Sequence, residues 1–207
     1  MIALIFATRK EARPFLALSR ADRCAETPFE HYRSPLMPRL QIVISRIGKV
    51  AAAAACQEMI ATHKAKRIVN AGTCGLLVDD SGWAVGQLVR ITTAREGDHD
   101  VLGKRPPPAA CDTHPGQALP TARLVTCDRP VFDLQRRNAC SRLGEVVDME
   151  GAAIARVAAL NQVPCTLIKG VSDAAGPMER KTLLANLEQV SVVLGKWLWE
   201  NLLKMAP

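Results

Sequence analysis

Acidic and small polar residues recur in this chain where short apolar runs end. Thr8, Arg9, Lys10 and Glu11 follow Ile2–Ala7, and Gly72-Thr73-Cys74-Gly75 follows Arg67–Ala71. Asp148-Met149-Glu150 follows Glu145–Val147, and Ser172-Asp173 follows Leu167–Val171. A carboxylate at the end of a buried strand is costly to dehydrate unless a partner in the protein or a ligand satisfies it. Each position also has a purely structural explanation. Glu11 would complement the dipole of a following helix. Thr73 would serve a tight turn. Ser172 or Asp173, like Asp148 and Glu150, would cap the helix that comes next. Taken together they read as one site, because acids and a Gly-rich turn recur at strand ends.

Positioning such a site requires a particular frame, and the hydrophobic pattern supplies one. Ile2–Ala7 reads as a strand and Thr8–Ser19 as a helix despite Pro14; Arg39–Ile47 is a second strand. Gly48 opens an Ala-rich helix over Lys49–Arg67, which has strong intrinsic helix propensity. Arg67–Ala71 reads as a short strand broken by a turn at Gly72–Gly75, and Val85–Thr92 and Ala122–Thr126 as further strands. A helix is expected around Val131–Cys140, another over Gly151–Asn161, and a last buried strand over Pro164–Ser172. Leu183, Leu187, Val190, Leu194 and Trp197, with Leu198 beside them, mark one face of a C-terminal helix. Strands alternating with helices predict a single-domain α/β fold over residues 1–207, a mixed, mostly parallel central sheet flanked by helices. In such sheets ligands bind beyond the carboxyl ends of the strands. Between Gly103 and Pro120 stand five prolines, so that segment holds little regular structure and is either an exposed connection or a lid.

The bulk numbers exclude several classes. The chain has 207 residues and a formal net charge of +7, but its Lys and Arg are spread out with no basic block carrying interleaved aromatics. A solvated basic surface is expected, not a nucleic-acid interface. No apolar run reaches the length of a membrane span, and Met1–Ala7 is too short for a signal peptide. Seven cysteines without a C-x-x-C pair or zinc-like spacing are expected to be reduced thiols in a cytoplasmic protein. No metal and no cofactor are expected.

The segment VVDMEGAAIARVAALNQVPCTLIKGVSD, residues 146–173, resembles the signature of the purine nucleoside phosphorylase and nucleosidase superfamily. The same family pattern appears in SRIGKVAAAAA, RIVNAGTCGLL and VGQLVRIT. The resemblance is strongest to the methylthioadenosine/S-adenosylhomocysteine nucleosidases. It implies a nucleoside phosphorylase-like fold and hydrolysis of an N-glycosidic bond through an oxocarbenium-like transition state, with adenine released from a 5′-modified adenosine. By that resemblance Asp173 is the general acid that protonates N7 of the purine, Ser172 orients it, and Glu11 is the general base for the attacking water. Glu150 accepts hydrogen bonds from the ribose hydroxyls, with Gly151 letting the backbone come close. Met149 packs on the sugar, and Gly72 and Thr73 lie near ribose and water. Asp148 takes a structural role. The position that stacks on the base falls at Pro130 or Val131, with Phe132 slightly displaced, either stacking or packing in the core. The Pro-rich segment and a partner subunit would line the 5′ pocket, so a homodimer is expected. Asn70 stands where related phosphorylases carry Arg, which favours water over phosphate, although Arg9 and Arg46 remain possible substitutes. Alternatives are a nucleosidase for another 5′-modified nucleoside such as adenosylhopane or futalosine, a phosphate-dependent phosphorylase, or a nucleoside-binding module without catalysis.

Overall fold

The computed structural model describes residues 1–79, 82–112, 119–176 and 180–202. The described residues form ten strands and five helices. The strands are β1 (Ile2–Phe6), β2 (Asp22–Ala25), β3 (Glu30–Arg33), β4 (Leu40–Ile44), β5 (Arg67–Leu76), β6 (Leu88–Glu96), β7 (Ala109–Ala110), β8 (Thr121–Thr126), β9 (Val146–Asp148) and β10 (Cys165–Asp173). The helices are α1 (Arg9–Leu18), α2 (Lys49–Ala61), α3 (Leu134–Ser141), α4 (Gly151–Leu160) and α5 (Arg180–Asn201).

All strands join one mixed sheet in the order β10-β6-β8-β9-β5-β1-β4-β3-β2, with β7 added to β6. The centre is parallel: β1 pairs with β4 and β5, and β5 with β10. Because β10 pairs with β6 as well as β5, the strands β5, β10, β6, β8 and β9 close on themselves. Alternate residues of β1 face opposite layers, as the strand period of two demands. Ala3 and Ile5 pack with Ala52, Ala55, Cys56 and Met59 of α2; these four are spaced as one helical face. Ile2, Leu4 and Phe6 pack with Ala12 and Phe15 of α1 and with Leu194, Trp197 and Leu198 of α5.

Three expectations need correction. Gly72–Gly75 is not a turn: β5 runs unbroken from Arg67 to Leu76, and neither glycine has a left-handed backbone. These glycines are there for space. A Cβ on Gly72 would lie 3.0 Å from a Glu11 carboxylate oxygen, and one on Gly75 would lie 2.9 Å from an Asp173 oxygen. Val131 and Phe132 precede α3, whose N-cap is Asp133 accepting from the Arg136 N–H, so neither is helical. The hairpin of β2 and β3 went unread, because DRCA and EHYR carry no apolar alternation. Of the Pro-rich segment, residues 113–118 lie outside the described residues, so the lid expectation there does too. Its described part packs as structure: Ala109 and Ala110 pair with β6, Cys111 is buried in the core, and Asp112 forms an ion pair with Arg67.

The two helices on one face approach closely at Gly195, where a Cβ would stand 2.9 Å from both the Phe15 nitrogen and the Pro14 Cβ. Helix propensity alone favours alanine at this interior position by about 1 kcal/mol. The clash with backbone is expected to win: Gly195→Ala should lower stability by about 1–3 kcal/mol. Denaturant unfolding checks this.

Candidate functional site

Glu11 is fixed from two elements. On its own helix it closes a capping box: Thr8 is the N-cap, its N–H donates to Glu11 Oε2 at 3.1 Å, and the Thr8 hydroxyl caps the Glu11 N–H. The structural explanation for a first-turn acid therefore holds. The same carboxylate also reaches across to β5, where the Thr73 N–H and hydroxyl donate to Oε1 at 2.9 and 3.1 Å. Gly72 leaves room for this crossing and does not itself line the cavity.

Asp148 and Glu150 divide their work. Asp148 is buried, and its two oxygens accept from the Thr126 hydroxyl at 2.6 Å, the Gly151 N–H at 2.9 Å and the Lys169 ammonium at 2.7 Å. It ties β8, α4 and β10 together. Gly151 serves this packing and not a ligand: a Cβ there would lie 2.4 Å from Leu124 Cδ2 and 2.9 Å from Asp148 Oδ2. Glu150 Oε1 takes the Gly48 N–H, at the start of α2, at 2.8 Å. Burial, then the charge of Asp148, push the Glu150 carboxyl up to about 7, against the pull of Lys169 and the Gly48 N–H.

Lys169 is the residue the sequence pattern did not reveal. It sits inside the apolar run of β10 and its side chain is 2% exposed. Burial works against its charge, but Asp148, Glu150 and Glu11 outweigh that and hold its proton more tightly than usual.

Asp173 closes β10. Its Oδ2 is 2.7 Å from the Ser172 hydroxyl and its Oδ1 accepts from the Ala175 N–H at 2.8 Å. Ser172 Oγ also lies 3.2 Å from the Cys74 carbonyl, and Asn186 of α5 donates to the Ser172 carbonyl at 2.9 Å. All of these carboxyl groups border one cavity of about 390 Å³. Glu11, Thr73, Met149, Glu150, Ser172, Asp173, Val131 and Phe132 line it, as do Asp148 and Pro130. Phe132 is 43% exposed, so it faces the cavity rather than the core, whereas Val131 is buried against Val125 and Val147. The loop carrying them is anchored from several sides. Arg136 donates to the Pro130 and Arg129 carbonyls, Asp98 takes the Asp128 N–H, and Lys49 bridges Glu96, Asp98 and Asp128.

The described Pro-rich residues do not line this cavity. Its outer wall comes instead from Ile47 and from Leu183, Leu184 and Leu187 of α5. Leu183 and Leu187 read as core from helical spacing alone. The available signal was Leu184 beside them, which widens the apolar stripe past one face. β9 is one of the antiparallel members of the mixed sheet: it runs antiparallel to β5, with Val147 opposite Gly75. The site is thus built where β9 crosses the carboxyl half of β5, not solely beyond parallel strand ends.

Two outcomes follow from these charges. Glu150 titrates near 7 in the fold against 4.5 ordinarily, so the folded state binds more protons between those values and stability falls as pH rises through them. Glu150→Gln should therefore raise stability above pH 7 by on the order of 1–3 kcal/mol, with no gain below about pH 4; thermal unfolding across that range checks it. Lys169→Met leaves Asp148 buried without its counter-charge and should cost about 3–5 kcal/mol.

Comparison with known proteins places the chain in a family. A family model described as the phosphorylase superfamily matches residues 1–198. A 5′-methylthioadenosine/S-adenosylhomocysteine nucleosidase of Desulfotalea psychrophila is 26% identical over 185 residues, covering 76% of this chain and 78% of its own. One from Shewanella piezotolerans is 29% identical over 148 residues, covering 70% of this chain and 54% of its own. Among solved structures, the Helicobacter pylori 5′-methylthioadenosine/S-adenosylhomocysteine nucleosidase superposes with a TM-score of 0.86 at 22% identity, covering 96% of each chain. The futalosine hydrolase of the same organism gives 0.85 at 22% identity, covering 95% of this chain and 94% of its own. With a family model spanning nearly its whole length, this chain belongs to the phosphorylase superfamily.

Proposed function

We propose that this protein hydrolyses the N-glycosidic bond of a 5′-modified adenosine and releases adenine. The observation that carries this is the convergence of Glu11, Glu150 and Asp173, three carboxyl groups remote in sequence, on one cavity of nucleoside size. Cleavage makes three demands: the leaving base takes up a proton, the cationic sugar is held, and a nucleophile reaches the anomeric carbon from the opposite face.

Asp173, fixed by Ser172 and the Ala175 N–H, is the proton donor to N7. Glu150 accepts from the ribose hydroxyls, with Met149 against the sugar. Glu11 is the base for water. Its carboxylate is fixed by the N–H groups of Thr8 and Thr73, while the hydroxyls of the same two residues can rotate away and yield a position to water. Phe132, with Val131 and Pro130 behind it, forms the wall for the base. Ile47, Leu183, Leu184 and Leu187 offer an apolar seat for the 5′ substituent. These roles need no cofactor. A homodimer in the cytoplasm, without nucleic-acid or membrane partners, fits the family resemblance; no described helix is long and apolar enough to cross a membrane.

Water is favoured over phosphate by the distribution of cations. Asn70 donates to the Ile5 carbonyl, Arg9 is engaged with Glu30, and Arg46 lies outside the cavity lining. A second reading, a nucleosidase for another 5′-modified nucleoside such as futalosine or adenosylhopane, rests on the outer rim. There Lys10 borders a groove of about 250 Å³ that shares Leu184 and Leu187 with the main cavity, while Arg13 in the same groove is paired with Glu188. That rim would accept a longer 5′ group.

Free adenine released from a panel of 5′-substituted adenosines, with and without phosphate, tests both readings. Release should be indifferent to phosphate; dependence on it would reassign the protein to phosphorolysis. Asp173→Asn and Glu11→Gln should each lower kcat by about 10²–10⁴-fold with the fold intact, and full activity in either would remove the mechanism. Because Glu150 must be ionised to accept two hydroxyls, kcat/KM should decline on the acid side of about pH 7.

A further inference from the structure

Far from the cavity, the β2–β3 hairpin meets the end of α2 through three side chains of metal-binding type. His31 stands on β3 opposite Val43, Glu58 lies in the last turn of α2, and His63 follows that helix directly. His31 Nε2 is 3.0 Å and His63 Nε2 is 3.6 Å from the same oxygen, Glu58 Oε1. All three potential ligand atoms lie within 4.8 Å of one another. Two donors each about 2.0–2.1 Å from a tetrahedral zinc ion sit about 3.3 Å apart, so the two spacings to Glu58 bracket what coordination requires. Among the described residues this is the one group of three such side chains that converges. An ordinary buried histidine needs one acceptor, and Glu58 alone meets that need for His31. The second imidazole, with its ring centroid 5.0 Å away, is surplus to it.

We propose that His31, Glu58 and His63 bind one divalent transition-metal ion of the zinc class, with solvent completing its coordination. Two imidazoles and a carboxylate suit such ions, whereas magnesium and calcium take oxygen cages. His31 is 3% exposed and held by its strand, while Glu58 and His63, with side chains 21% and 25% exposed, leave an entry path.

The protons can be followed. Arg33 donates to Gln41 Oε1 at 3.0 Å, which turns the Gln41 amide nitrogen toward His31 Nδ1 at 3.4 Å. Without metal, Nδ1 is thus the acceptor and Nε2 carries the proton toward Glu58. Metal binding at Nε2 moves that proton to Nδ1 and requires the Gln41 amide to present its oxygen. A carboxylate at position 41 would do so without turning. The site lies about 20 Å, the length of α2, from Gly48, so the ion pins the hairpin to the helix and takes no part in chemistry at the cavity.

The test uses the whole protein, stripped with chelator and titrated with Co²⁺ followed by visible absorption, and with Zn²⁺ followed by calorimetry and thermal unfolding. One equivalent should bind, giving tetrahedral cobalt bands without thiolate charge transfer and a raised Tm. His63→Ala and Glu58→Gln, with unchanged far-ultraviolet dichroism, should each weaken binding at least tenfold, and Gln41→Glu should tighten it about tenfold. Cys24, an exposed thiol whose sulfur lies 4.0 Å from the Gln41 amide nitrogen, is the competing donor, and Cys24→Ser should change nothing. The proposal is overturned by the absence of saturable binding, by binding that survives His63→Ala, by binding lost in Cys24→Ser, or by unchanged affinity in Gln41→Glu.

Discussion

The ammonium of Lys169 is the constraint from which the rest of the cavity follows. It lies 2.7 Å from Asp148 and within electrostatic reach of Glu150 and Glu11, and water is all but excluded from it. Unit charges 4 Å apart interact by about 4 kcal/mol at an effective dielectric constant of 20, so three carboxylates crowded together would repel one another strongly. One ammonium pairs directly with Asp148 and serves the other two only from a distance. At Glu150 burial, and after it the charge of Asp148, push the carboxyl up to about 7 despite that ammonium. The cluster therefore carries surplus negative potential that the free protein meets partly by protonation. In the mechanism proposed, the developing positive charge of the sugar is what that potential is preorganised to meet.

Such a cluster is possible only because the backbone comes unusually close at a few places. Without a Cβ at Gly72, the Glu11 carboxylate and the Lys169 ammonium can both approach β5. Without one at Gly75, Asp173 can fold back against the same strand. Gly151 lets α4 start directly over Leu124 and Leu167, which brings its first N–H to Asp148. These glycines are extended or helical, so their role is volume and not conformational freedom. Glycine in a strand interior weakens it, and here that weakness is offset by the hydrogen bonds the missing side chains allow.

Much of this was legible in the sequence, for identifiable reasons. Strand and helix order followed from apolar period, and the main acidic positions stood out because carboxylates at strand ends break that period. What escaped notice depends on contacts between distant segments. A lysine inside the run Leu167–Val171 has no local signature, since its partner is an aspartate about twenty residues earlier in the chain. Gly72–Gly75 reads as a turn because composition cannot distinguish a glycine chosen for φ from one chosen for space. The β2–β3 hairpin is an edge element of mostly polar residues, held by pairing with β4 rather than by an apolar face of its own. For Leu183 and Leu187, helical spacing shows that they share a face with Val190 and Leu194, not whether that face meets protein or a cavity.

The same electrostatics bear on the choice of nucleophile. Phosphate would have to enter as an anion beside Glu11, next to Glu150 and Asp148, where the potential is already negative. A phosphate site normally answers this with arginines or with several N–H groups pointed at the anion. Here the Thr8 and Thr73 N–H groups are committed to the Glu11 carboxylate, and Lys169 to the acid cluster. Lys10 is the one cation among the described lining residues apart from that cluster, and it borders the outer rim as well. Water needs no such compensation: it is neutral on entry and, in the mechanism proposed, loses its proton to the carboxylate that these N–H groups hold in place. The geometry that makes Glu11 a fixed acceptor thus takes up the backbone N–H groups that an anion would need.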